Sequence, residues 1–132
     1  MAPTQTTVKG EQSFAVPATR MGRVLSRLRQ LHNDMTILQA MFFMRIAAEP
    51  GVTQNKLWTE FDTFDSVASR AIAVLGSAGV RGGLNAQGER RETKGLKLIE
   101  LVEDPQDRRF KRLYLSARGR TLMADITNDL RT

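Results

Sequence analysis

LKLIELVE-DPQDR-RFKRLYL, residues 96–115, decides the fold. Two runs rich in Ile, Val, Leu, Tyr and Phe, 96–103 and 109–115, flank Asp104-Pro105-Gln106-Asp107-Arg108. The middle five residues carry turn chemistry, because Asp side chains bond the backbone two residues on and proline presets its own φ. The flanking runs favour extended backbone, so the stretch predicts a β-hairpin. Helical periodicity also fits LKLIELVE, but Pro105 stops that segment early for a helix.

Downstream, Ser116 reads as the N-cap of a helix over 117–130, with Leu122, Met123, Ile126 and Leu130 on one face. Arg118 and Arg120 fall in its first turn, where the helix dipole disfavours cations, so a nearby anion is expected to offset them. Upstream, residues 81–95 (RGGLNAQGERRETKG) hold four glycines and no repeating apolar pattern. They predict a long, basic, mobile loop. Before it comes a helix from Asp65 or Ser66 to Ser77, closed by Gly79. Its buried stripe is Val67, Ala71, Val74 and Leu75, while Ser66, Ser69, Arg70 and Ala73 lie away from that stripe.

The turn Asp62-Thr63-Phe64 separates this helix from a shorter one, about Thr53 to Phe61. Thr53 is its N-cap, Val52 and Leu57 form a hydrophobic staple, and Leu57, Trp58 and Phe61 face inward. Residues 35–48 are apolar on all sides and predict a central, buried helix stopped by Glu49-Pro50-Gly51. In a helix over 18–32, Met21, Val24, Leu25, Leu28 and Leu31 share one face, Arg20, Arg23 and Arg27 share another, and Gly22 weakens the first turn. Residues 1–17 lack periodicity and predict a flexible tail. Two short helices joined by a tight turn, then a β-hairpin, make a winged helix-turn-helix. The expected class is α+β, mostly helical, with flanking N- and C-terminal helices around one domain spanning 18–132.

The chain has 132 residues, enough to bury a core without staples. It has no cysteine, which excludes disulfides, thiolate metal sites and cysteine nucleophiles. The single histidine, His32, argues against a multi-histidine metal site or a conventional serine triad. No catalytic role, metal or cofactor is expected. Twenty basic residues against fourteen acidic ones give a net charge of +6, which favours a polyanionic partner, nucleic acid before membrane. The excess sits in two places. Residues 18–32 carry four arginines and no acid, and 79–120 carry eleven bases against six acids. Apolar runs are too short to span a bilayer, and Met1 to Pro17 has no secretory apolar core, so a cytoplasmic protein is expected.

Asp104-Pro105-Gln106-Asp107-Arg108-Arg109, then Leu113-Tyr114-Leu115-Ser116 and Gly119, resembles the wing signature of MarR-type transcription factors. Ser66-Val67-Ala68-Ser69-Arg70, with Ile72, Leu75, Gly79 and Val80, resembles that family's recognition helix. Pro50-Gly51-Val52-Thr53 and Leu57 resemble the lead-in to its first helix-turn-helix element. The resemblance covers roughly residues 35–126. It departs in the longer connection 81–95, in Ser116 where threonine is usual, and in Gly76 where an acid is common. One helix follows the wing, where many members have a longer dimerisation region. The resemblance implies a homodimer on palindromic duplex DNA, with repression often relieved by a small-molecule effector. Helices 18–32 and 117–130 are the expected dimerisation elements.

Physical chemistry supports the DNA reading separately. A recognition helix presents short polar or arginine side chains to the major groove, and Ser66, Ser69, Arg70 and Ala73 form such a face. Thr63 and Ser66 could bond phosphate near a helix N-terminus. Arg108 and Arg109 at the hairpin tip could enter the minor groove, whose negative potential attracts arginine. Asp107 could brace Arg109. Arg90, Arg91, Lys94, Lys111 and Arg112 are candidate phosphate contacts. Blander readings stand beside these: Ser66 as an N-cap, Arg70 as a solvated charge, 81–95 as a linker, and Met41, Phe42, Phe43 and Met44 as core. Asp104 and Asp107 suit ion pairing with neighbouring arginines better than acid/base work. The competing function is a winged-helix interaction module that docks on protein and reads no bases.

Overall fold

The computed structural model describes residues 13–84 and 90–132, with 80–84 and 90–93 described by their backbone alone. In chain order the elements are α1 (Ala15–Leu31), α2 (Ile37–Ala48), β1 (Val52–Thr53), α3 (Gln54–Glu60), α4 (Asp65–Leu75), β2 (Val80–Leu84), β3 (Arg90–Thr93), β4 (Ile99–Glu103), β5 (Lys111–Leu115) and α5 (Ala117–Arg131).

The hairpin read from 96–115 is β4 and β5, antiparallel, with Ile99 opposite Leu115, Leu101 opposite Leu113 and Glu103 opposite Lys111. β1 adds to its other edge, Val52 opposite Leu113, so β5 is the central strand of a three-stranded sheet. Both strands are shorter than the sequence suggests. At the tip, Asp104 N–H donates to the Phe110 carbonyl and Phe110 N–H to the Asp107 carbonyl, which draws Arg109 and Phe110 into the turn. At the start, residues 96–98 close the end of α4 instead of pairing: Leu96 N–H donates to Val74 O, Leu98 N–H to Leu75 O and Lys97 N–H to Gly76 O. The last carbonyls of a helix lack intrahelical partners, and these amides supply them.

Of the tail expected over 1–17, residues 1–12 lie outside the described residues, and Ala15, Val16 and Pro17 are helical. Pro17 misleads in the sequence. It is the third residue of α1, in the first turn, where a missing N–H costs nothing. α2 begins at Ile37 behind a capping box, in which Thr36 Oγ1 accepts from Gln39 N–H and Gln39 Oε1 accepts from Thr36 N–H, both at 3.1 Å.

The expectation that α2 is buried on all sides is corrected. Phe42, Phe43 and Ile46 are enclosed, but Ile37 is 79% exposed and Met41 also reaches the surface. Nothing among the described residues packs over that side, and it floors an apolar groove of about 530 Å³ with Met21, Leu25, Met44 and Leu130.

α4 ends at Leu75 with Gly76 as its C-cap, two residues before the expected Ser77. Its buried stripe is Ala68, Ala71, Ile72, Val74 and Leu75, and Val67 is exposed, contrary to the sequence reading. The loop expected over 81–95 is also corrected. Its described ends are strands β2 and β3, which pair Val80 with Thr93 and Arg81 with Glu92. The register shifts between Arg81 and Leu84, where Gly82 and Gly83 stand. Glycine tolerates the backbone of such a bulge, and the resulting irregular pattern hides a strand from periodicity.

Ser116 caps α5 as read, accepting from Gly119 N–H. Arg120 in the first turn donates from Nη1 to the Leu115 carbonyl at 3.0 Å. α5 lies along α1, clamped by Arg27, whose Nε and Nη2 reach the Asp129 carboxylate at 2.6 and 2.9 Å. Asp129 is the one buried charged residue among those described, and the Arg27 hydrogen bond holds its carboxyl below the usual range. The core is completed by Val52, Leu57, Leu98, Leu113 and Ile126, each fully buried. Burying such a side chain contributes about 1.5–3 kcal/mol.

Candidate nucleic-acid interface

Thr53 accepts from Lys56 N–H and starts α3. The turn to α4 passes through Asp62 at φ +50°, a left-handed conformation that short Asp side chains tolerate better than most. Thr63 N–H returns to the Trp58 carbonyl and sets the angle at which α4 leaves. Phe64, not Ser66, is the N-cap of α4, and no side chain bonds the first-turn amides. Amides at a helix N-terminus favour an anion, while Asp65 in the same turn opposes one.

Ser66, Ser69 and Arg70 are exposed and Ala73 is half-buried, opposite the enclosed Ala68 and Leu75. The polar side of α4 therefore faces solvent and not the protein interior. Gln54 at the start of α3 donates to Ser69 Oγ at 2.9 Å, which ties the two helices together on this face. The sequence reading overlooked Gln54, which lies outside the motif, and also Phe64, which is 78% exposed. An exposed aromatic beside a turn carries no periodic signal.

In the wing, Asp107 accepts from the backbone N–H of Arg109 at 3.1 Å and from its Nε and Nη2 at 3.0 and 2.8 Å. The Arg109 side chain is 85% exposed even so, held outward with one edge of its guanidinium paired. That partnership lowers the Asp107 pKa and raises that of Arg109. Arg108 beside it is exposed.

Arg112 is engaged differently. Its Nε and Nη2 reach Asp104 at 3.1 and 3.0 Å, and its Nη1 donates to the Gly51 carbonyl at 2.9 Å. These hydrogen bonds join the hairpin to the start of β1, while the side chain stays partly exposed. Asp104 is held below the usual carboxylate range first by the Gln106 amide and then by Arg112.

Helix and wing meet at a hollow of about 360 Å³ lined by Gln54, Ser69, Ala73, Ser77, Leu101 and Lys111. The exposed side of α4 and the root of the hairpin therefore form one surface, with Lys111 exposed at its edge. Thr63 is half-buried at the turn. Lys94 is exposed where β3 runs on toward β4. Arg90 and Arg91 belong to β3. Among the described residues no group of three or more His, Cys, Asp or Glu could hold a metal ion, and no helix is long and apolar enough to cross a membrane.

No family model and no curated protein matches the sequence. Solved structures do match. The S. aureus MepR–DNA complex aligns at 21% identity with a TM-score of 0.62, over 89% of this chain and 82% of that one. A MarR transcriptional regulator from Methanosarcina mazei Go1 aligns at 20% identity and 0.57, over 87% and 70%. The PcaV transcriptional regulator from Streptomyces coelicolor, with its natural ligand, aligns at 21% and 0.52, over 91% and 77%. The likeness lies in the fold, a winged helix with flanking helices.

Proposed function

Starting from the winged-helix fold shared with MarR-type regulators, we propose that this chain is a regulator of that type. It binds double-stranded DNA sequence-specifically as a homodimer, acts as a repressor, and is not an enzyme. The observation that carries the reading is the single surface made by the polar side of α4 and the root of the arginine-tipped wing across their common hollow. α4 enters the major groove, where Ser66, Ser69 and Arg70 meet base edges and Thr63 meets the backbone. Arg108 and Arg109 reach the adjacent minor groove, and Lys111 neutralises phosphate. Asp107 preorganises Arg109, so less side-chain freedom is lost on binding. Arg112 serves as a wing brace through Asp104 and Gly51. Such a reader of duplex DNA works in the cytoplasm.

The dimer is formed by α1 and α5. Support comes from exposed Met21, Leu25 and Leu130 along the groove beside Ile37 and Met41, an apolar surface that a second copy would cover. A small-molecule effector remains part of the proposal, since the similar PcaV regulator was solved in complex with its natural ligand.

The test is selection of bound sequences from a random duplex pool, followed by gel-shift titration of the selected and scrambled duplexes. A tighter selected duplex with a steep salt dependence is expected. Equal binding to every sequence would remove the base-reading role of α4. A second reading, a winged-helix module that docks on protein without reading bases, is favoured by exposed Phe64 at the head of α4. It requires partner capture from nuclease-treated material that survives Arg109→Ala.

A further inference from the structure

Between α4 and the wing the chain makes an excursion that the fold does not need. It leaves at Gly76, pairs with itself as β2 and β3, and returns at Gly95 to the place it left. A Cβ at Gly95 would intrude on the Gly76 carbonyl oxygen and on Ser77, so exit and return lie in direct contact. The end of α4 is closed by amides that come after the excursion, those of Leu96, Lys97 and Leu98. Within the hairpin itself Val80 and Thr93 are already opposite each other, so a two-residue turn there would join the same ends.

Two observations say what the excursion serves. Segment 79–95 carries Arg81, Arg90, Arg91 and Lys94 against Glu89 and Glu92, an excess of positive charge. Its root, Ser77 and Ala78, lines the same hollow as Ser69, Ala73 and Lys111, so it starts from the proposed DNA surface and not from the opposite end of the molecule. We propose that the β2–β3 ribbon is a second cationic arm. It contacts backbone phosphates of the duplex beyond the groove that α4 occupies, without reading bases. The inference rests on the DNA-binding reading above and adds to it a longer, sequence-independent footprint.

The experiment compares the intact chain with two variants on a selected duplex and a scrambled one. In the first, residues 81–92 are replaced by Asn-Gly. In the second, Arg90→Ala and Arg91→Ala are combined in the full-length ribbon, which keeps the test valid if the shortened chain folds poorly. Binding is titrated from low to moderate salt. Each phosphate contact contributes about 0.9 to the slope of log K against log salt, so the double variant should be shallower by about 1.8. Its preference for the selected duplex over the scrambled one should be unchanged. An unchanged slope in the double variant overturns the arm, as does a shortened variant that loses self-association instead while its slope stays intact. If the intact chain binds no duplex at all, the DNA reading falls too. If Arg109→Ala flattens the slope and the ribbon variants do not, only the arm falls.

Discussion

Gly119→Ala separates local helix propensity from tertiary packing, because the two predict opposite signs. Gly119 lies in the first turn of α5, where alanine is the better helix former by at most about 1 kcal/mol. A Cβ there, however, would penetrate the Leu98 carbonyl oxygen and crowd the Leu115 side chain. The obstacle is backbone and cannot swing aside, so the overpacking cost is about 1–3 kcal/mol. Leu98 O also accepts the Ser116 N–H at 2.9 Å, and displacing it forfeits about 1 kcal/mol more. Setting the propensity gain against these costs leaves a net loss of roughly 1–3 kcal/mol. The control is Gly22→Ala in α1, where a Cβ meets nothing within 4 Å. That variant should gain about 0.5–1 kcal/mol. Urea denaturation followed by circular dichroism reads both, as midpoint shifts at constant m. Leu98 also holds the end of α4 through its N–H to Leu75 O, so Gly119→Ala should weaken duplex binding even where the chain is still folded. Gly119→Ala as stable as the unmodified chain would refute the packing argument.

Four further outcomes are expected. Arg70→Ala should lose about 1–3 kcal/mol of affinity for a selected duplex and relax preference at one base position, checked by repeating the selection. Arg109→Ala should lower the salt slope by about 1 on every sequence, checked by salt titration. Leu25→Glu places a charge on the exposed apolar side of α1 and should give a monomer by analytical ultracentrifugation; a persistent dimer would move the interface elsewhere. The Arg27 hydrogen bond depresses the Asp129 carboxyl below its ordinary 3.8, so on acidification the unfolded chain takes up that proton first. The stability it contributes is present above 3.8 and fades as pH falls through the lower folded-state value. Asp129→Asn should therefore flatten the decline of melting temperature below that pH, and an unflattened profile would mean the pair contributes nothing.

Much of the candidate site was readable because its signals are local. Asp-Pro-Gln-Asp-Arg-Arg bonds its own backbone, so the wing tip follows from six adjacent residues. Thr53 and Ser116 cap helices through amides three residues away. Where the reading failed, the deciding contacts were distant or irregular. Val67 has the spacing of a core residue, yet it stays 40% exposed on the wall of a hollow it shares with His32 and Thr36. Arg112 bonds Asp104 and, across the sheet, the Gly51 carbonyl, partners that no spacing within β5 encodes. Strand β2 is masked by Gly82 and Gly83, which relax the period-two pattern, and β3 is a short polar run with no apolar alternation.

Order and type of the main elements, the wing turn and the polar side of α4 were determined by the sequence alone, since neighbour chemistry and periodicity act within one turn or one hairpin. Tertiary structure alone decided three things: that α2 leaves one side open, that residues 96–98 close α4 from beyond an excursion, and that Gly119 must be glycine. Each depends on backbone groups brought together from separate segments, or on the lack of a covering neighbour among the described residues, and no spacing within one element encodes either.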